Sequence, residues 1–216
     1  FGPSGSNLVY SSYFGSTNGS TLGKAVAVDS AGNAYVLGET TNLNFGVLNA
    51  LQATNGGGRD LFVAKVSASG SNLLFATYLG GSGHEFAGGI ALDAATNIYV
   101  VGTSFSTNFP VTNAFRSAKE GTTDGVVAKL DPAGTSLLYA TYFGGSVEEY
   151  LTGCAMDPQS NLIVSGYGQS PDLPVTNAIQ QTFGGFTWDA YLFGLQPNGT
   201  QLVFCTYFGG PTTDYG

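Results

Sequence analysis

Few residues in this 216-residue chain carry side chains suited to proton transfer, metal binding or nucleophilic attack, and most of those recur at one fixed interval. The single histidine, His84, stands beside Glu85 in a Gly-Ser-Gly-His-Glu-Phe stretch. Such a pair can move a proton or ligate a metal, but one His and one Glu cannot complete a zinc site. Glu148, Glu149 and Asp214 occupy the corresponding place further along the chain, and oxygen ligands of that kind suit calcium, although the spacing of a recognised calcium loop is missing. Asp60, Asp124 and Asp189 form a second recurring set, and Asp29, Asp93 and Asp157 a third. A catalytic acid is needed once, so an Asp present in every repeat reads as a group that caps a turn or bonds to backbone. No carboxylate pair of the glycosidase kind stands out among them. Serines abound, but one histidine and no Gly-x-Ser-x-Gly leave a hydrolase triad unsupported. The residues therefore assign no catalytic, cofactor-binding or metal-binding position; calcium is the one ion the acids would suit.

These residues must be held by the elements of a tandem repeat. The motif Ala140-Thr-Tyr-Phe-Gly-Gly-Ser146 has close copies at 11–16, 76–82 and 205–210, and their tyrosines, Tyr13, Tyr78, Tyr142 and Tyr207, lie 65, 64 and 65 residues apart. A fixed period of tens of residues signals a solenoid, propeller or array. Each period holds four apolar runs rich in Val, Ile, Tyr and Phe and bounded by Gly, Asp, Asn and Ser, which predicts strands. Run A begins at Ala25, Gly89 and Gly153; run B at Ala34, Ile98 and Leu162; run C at Leu61, Gly125 and Ala190; run D contains the tyrosine motif.

Between A and B, an Asp followed by four residues ending in Asn suits a tight hairpin turn. Between C and D, the endings Gly70, Gly134 and Gly199 can supply the positive φ of such turns. The long B-to-C connection carries Phe109-Pro-Val-Thr-Asn-Ala114 and its relatives at 45–50 and 173–178; it is expected to cross a blade end, with a helical turn around 114–118.

Four antiparallel strands repeated radially describe a β-propeller blade. The expected fold is all-β, with blades at 22–80, 86–144 and 150–209, an orphan outer strand of a preceding blade at 8–15, and the start of a further repeat at 210–216. Run A suits the innermost strand: its small alternates (Ala25, Ala27, Gly89, Ala91, Gly153, Ala155) would face the crowded axis and its large ones (Val26, Val28, Ile90, Leu92, Met156) a neighbouring blade. Innermost and outermost strands of one blade lie about three spacings of 4.8 Å apart, beyond disulfide reach, so Cys154 and Cys205 are expected to be free and buried.

Composition limits the partners. Forty-three per cent hydrophobic residues argue for a packed core, and a net charge of −8 gives no basic patch for nucleic acid or an anionic membrane. No run of about 18 apolar residues suggests a membrane-spanning helix. Asn18-Gly-Ser and Asn198-Gly-Thr are glycosylation sequons in turn-like sequence. The repeated aromatics of run D read as inter-blade packing ahead of a sugar-stacking surface.

Asp-Gly-Val-Val-Ala-Lys-Leu-Asp-Pro-Ala-Gly at 124–134, Leu-Leu-Tyr-Ala-Thr-Tyr-Phe-Gly-Gly-Ser at 137–146, Ile-Ala-Leu-Asp at 90–93 with Asn97 and Tyr99-Val-Val-Gly102, and Phe-Pro-Val-Thr at 109–112, taken together, resemble the SBBP (seven-bladed beta-propeller) repeat family. The resemblance implies long extracellular or cell-surface proteins of bacteria and archaea in which such repeats sit beside other modules, and it brings no catalytic residues. Departures are mild: Leu22 and Gly46 replace an aromatic and a proline, and Gly194 stands where Lys65 and Lys129 stand.

Every distinctive residue seen so far is a repeat residue. The expected function is a non-enzymatic, extracellular structural or assembly module, completed by other copies or further repeats of the same polypeptide. A carbohydrate- or protein-binding propeller is the alternative, and a lyase or glycosidase with its site in other blades the third reading.

Overall fold

The computed structural model describes residues 4–15, 18–185 and 187–216. Twelve strands form three four-stranded sheets, each antiparallel and each in sequence order from one edge to the other. Blade one is β1 (Thr21–Val28), β2 (Ala34–Thr40), β3 (Asp60–Val66) and β4 (Leu73–Leu79). Blade two is β5 (Glu85–Leu92), β6 (Ile98–Ser104), β7 (Asp124–Leu130) and β8 (Leu137–Phe143). Blade three is β9 (Glu149–Met156), β10 (Leu162–Gly168), β11 (Asp189–Leu195) and β12 (Leu202–Phe208).

The hairpins close as their residues dictate. Asp29 accepts hydrogen bonds from the Ala31 and Asn33 amides at 3.0 and 2.9 Å and from the Asn33 side chain at 2.9 Å. Asp93 and Asp157 repeat this with Asn97 and Asn161. In the C–D turns Gly70, Gly134 and Gly199 have φ of 70°, 70° and 76°. A side chain there would also strike Tyr10, Phe75 and Tyr139 respectively, an aromatic from the strand or segment laid against that turn. Glycine is thus required both for the backbone conformation and for the approach of the next layer.

One expected element differs. Residues 8–15 are not a strand, because no C-type strand lies beside them to supply a ladder. The segment nonetheless lies where an outer strand would: Tyr10 covers Gly70 as Phe75 covers Gly134, and Phe14 sits 4.8 Å from Phe45 and 5.8 Å from Phe62, centroid to centroid.

The B-to-C connection also differs from expectation. It contains no helical turn, and instead runs back along the outer strand, with antiparallel bridges Leu48↔Ala76, Thr112↔Ala140 and Thr176↔Cys205. Asn49, Asn113 and Asn177 adopt φ of 48°, 46° and 49°, and each amide donates to an outer-strand carbonyl: Leu74, Leu138 and Val203. Asparagine tolerates that left-handed turn and spends its side chain on the exposed edge. The edge of each sheet is thereby covered, which blocks strand addition.

The cores lie between blades. Tyr35, Leu37, Leu61 and Val63 of blade one pack against Ile90, Ile98, Val100 and Val126 of blade two. Tyr99, Val101, Val127 and Phe143 pack against Val164, Tyr191, Phe193 and Cys205 of blade three, with Phe143 stacked on Phe193 at 3.7 Å and 13°. The small alternates of the innermost strands face the next blade, not the axis: Ala25 and Ala27 join the same core as Ile90. They are small because innermost strands approach closely; a Cβ on Gly89 would lie 3.0 Å from the Cys154 amide nitrogen.

Tyr78, Tyr142 and Tyr207 pin the long connections. The Tyr142 hydroxyl accepts from the Phe109 amide at 2.9 Å and donates to the Ser106 carbonyl at 2.8 Å, and the other two do likewise. Tyr142→Phe leaves that buried amide and carbonyl without partners and should destabilise the fold by about 1–3 kcal/mol. Urea unfolding checks this; a loss below about 0.5 kcal/mol would mean that the connection is held by its bridge alone.

Candidate functional site

The recurring acids lie at the blade junctions. Asp60, Glu85, Asp124, Glu149 and Asp189 are fully buried and meet in pairs at the blade junctions. In the first junction Glu85 accepts from the Gly81 amide at 3.1 Å and from Ser104 and Ser106 at 2.6 Å, while Asp60 accepts from the Gly56 amide at 2.7 Å and Gln52 at 3.1 Å. A Cβ on Gly80 would lie 2.5 Å from the Asp60 carboxyl and 2.6 Å from that of Glu85. The first glycine of the Tyr-Phe-Gly-Gly motif is therefore the spacer between two carboxyls. Gly144 stands likewise between Asp124 and Glu149, and Gly209 beside Asp189 near Asp214.

Burial, aided by the neighbouring Glu85, raises the Asp60 pKa to about 7. Burial raises Glu149 to about 7 as well, and Asp124 and Asp189 shift in the same direction for the same reason. Asp60 Oδ1 has no hydrogen-bond partner among the described residues.

The other candidates separate. His84 is exposed while its neighbour Glu85 turns inward, so the two do not act together. Glu149 and Asp214 accept from the Gly145 and Gly210 amides, both at 2.8 Å, and Glu148 takes the Thr122 hydroxyl at 3.1 Å. Among the described residues no group of three or more His, Cys, Asp or Glu could hold a metal. Cys154 and Cys205 are free and lie on opposite edges of the blade-three sheet; burial pushes both thiols up to about 12. Asn198 is exposed in its turn, as is Asn18.

The feature that the repeats hide is a groove of about 420 Å³ at one end of the innermost strands, spanning all three blades. Each innermost strand has a register shift near its start, and the residues at the shifts, Lys24, Gly88 and Thr152, all line the groove. Bulges re-aim side chains in this way. The ends of the second strands contribute Glu39, Thr103 and Tyr167, and the strand starts Phe86 and Tyr150. Lys24, Gly88 and Thr152, like Glu39, Thr103 and Tyr167, differ in residue type from blade to blade, so not every distinctive residue is a repeat residue, whereas Phe86 and Tyr150 share an aromatic repeat position from which Leu22 departs.

On one wall buried Glu39 binds Lys24 at 3.1 Å and Arg59 at 2.6 Å, and the Arg59 guanidinium lies 5.3 Å from the Phe86 ring centre. Phe86 meets Phe105 edge-on at 5.7 Å. On the other wall Tyr150 and Tyr167 stack at 5.3 Å and 14°, with Trp188 5.7 and 5.5 Å from them. Sequence alone missed this site because its members are scattered single residues; the one signal was the failure of positions 24, 88 and 152, and of 39, 103 and 167, to repeat.

Three sheets of identical strand order, with the tyrosine motif on each outermost strand, agree with the comparison to known families. The family model described as SBBP, beta-propeller repeat, matches residues 9–46 and 74–110. Two stretches of the chain are thus similar to the SBBP beta-propeller repeat. No curated protein matches it. Each matched stretch of SBBP repeat begins on an outer strand or its equivalent segment and ends past the second strand of the following blade, so it straddles a blade junction. The paired carboxyls and their glycine spacer belong to that same junction.

A pH dependence follows from the pairs. Asp60 and Glu149 bind protons in the folded state that the unfolded chain has released, so their contribution to stability is greatest below the unfolded-state pKa and declines as pH rises towards the folded value of about 7. The thermal midpoint should fall between about pH 5 and pH 7 and level off above, and Asp60→Asn should flatten the slope. Scanning calorimetry across that window checks it; a midpoint that rises with pH would show the carboxyls to be ionised and otherwise compensated.

Proposed function

We propose that this chain is a non-enzymatic, extracellular structural module of SBBP propeller repeats, completed by further blades of the same kind from its own polypeptide or from a second copy. The observation that carries this reading is the state of its outer faces. In blade two the large alternates of the innermost strand are covered: Ile90 is 8% exposed. Their counterparts in blade one, Val26 and Val28, are 64% and 62% exposed. At the other side of the molecule Phe208 is 45% exposed, where its counterpart Phe143 is 1%. Each open face has the shape that accepts a blade, since the same pleated pattern already packs blade to blade twice within the chain. Contiguous apolar faces of this kind mark an interaction surface.

The non-enzymatic reading is supported by the carboxyls, which occur at every junction and accept hydrogen bonds from the backbone amides of its loops. The extracellular placement is supported by the family resemblance and by the exposed sequon at Asn198.

Light scattering tests the assembly. The mass should rise with concentration between about 1 and 500 µM, and Val26→Asp with Val28→Asp should abolish the rise. A monodisperse monomer across that range would remove the reading.

A further inference from the structure

We propose that the groove at the strand starts is a binding site for a neutral oligosaccharide. Its walls hold aromatic rings at two places, Phe86 and Phe105 edge-on to each other on one side and Tyr150 stacked on Tyr167 on the other. The C–H face of a pyranose ring carries slight positive charge and stacks on the negative face of an aromatic ring, a contact that also removes apolar surface from water. Phe105 is 40% exposed, and Tyr215, 68% exposed, extends the tyrosine wall by packing edge-on to Tyr167 at 5.0 Å. Phe105 and Tyr167 are not repeat residues: Thr41 and Gln169 stand at the first position in the other blades, and Glu39 and Thr103 at the second.

Polar groups stand between the two aromatic places, as sugar hydroxyls require. The Lys24 side chain is 42% exposed, and Thr152, exposed at its bulge, donates its hydroxyl to the Gly216 carbonyl at 3.0 Å. Charge argues for a neutral ligand. Lys24 and Arg59 already share Glu39, and the tyrosine wall carries Glu148, 3.5 Å from the Tyr150 hydroxyl, so no net cationic cluster awaits an acidic sugar. A volume of about 420 Å³ lies in the range of small-ligand sites, roughly 300–1,000 Å³. A peptide strand would instead look for an unpaired sheet edge, and the outer edges here are covered by the long connections.

The chain has one tryptophan, and Trp188 touches both Tyr150 and Tyr167, so its emission reports on the groove. Titration of the 216-residue chain with cellohexaose, mannohexaose and chitohexaose should change that emission and release heat for at least one of them. Phe105→Ala and Tyr167→Ala should each weaken binding by at least about tenfold. Ile179→Ala, an exposed site away from the groove, should leave it unchanged, with circular dichroism confirming that every variant is folded. Absence of binding to all three up to about 5 mM, binding indifferent to both groove variants, or binding confined to an acidic hexasaccharide would each overturn the proposal.

Discussion

The structure depends on how one blade is fastened to the next. At each junction a carboxyl from the third strand of one blade meets a carboxyl from the first strand of the following blade, or its counterpart Asp214, around a glycine that leaves room for both. Two buried carboxylates side by side repel, and burial disfavours charge on each. Backbone amides of the loops bond one oxygen of each carboxyl and so hold the joint in place. The apolar faces supply most of the driving force, but they are non-directional. It is the polar joint that sets the angle and register at which the faces meet.

Around this joint the tyrosine motif divides its labour residue by residue. The threonine hydroxyl takes an amide of the long connection, as Thr141 does from Arg116 at 2.8 Å. The tyrosine hydroxyl pins the start of that connection, and the following aromatic packs into the neighbouring blade. The first glycine separates the carboxyls, and the second comes close to Ser106 or Ser170, which bond the next loop. One short stretch therefore ties the outer strand, its edge cover and the next blade together. Its repetition needs no ligand to explain it.

The groove obeys the opposite logic. It lies on the same end of the sheets as the joints, yet most of its residues change in chemistry from blade to blade. Lys24, Gly88 and Thr152 are equivalent in backbone position and unrelated in chemistry. A repeat scaffold that fixes the backbone through buried groups leaves such rim positions free to acquire a binding chemistry of their own.

Much of the architecture was legible in the residues alone. The 64–65-residue period, the alternation of apolar positions and the Asp-to-Asn and Gly-ended turns act within a few residues of each other, so strands, hairpins and blade order follow from local rules. The pairing of Asp60 with Glu85, the cover laid over each outer strand by Thr112 and Asn113, and the loss of strand character at 8–15 join residues about 25 or more apart, or turn on the absence of a neighbour. No local pattern encodes such contacts, and the bulges that swing Lys24 and Thr152 into one groove are invisible until the sheets exist. Sequence by itself determined the blade; only the packing of blade on blade decided which polar groups are buried as joints and which residues remain free to meet a ligand, because burial is a property of the assembled faces and not of any single strand.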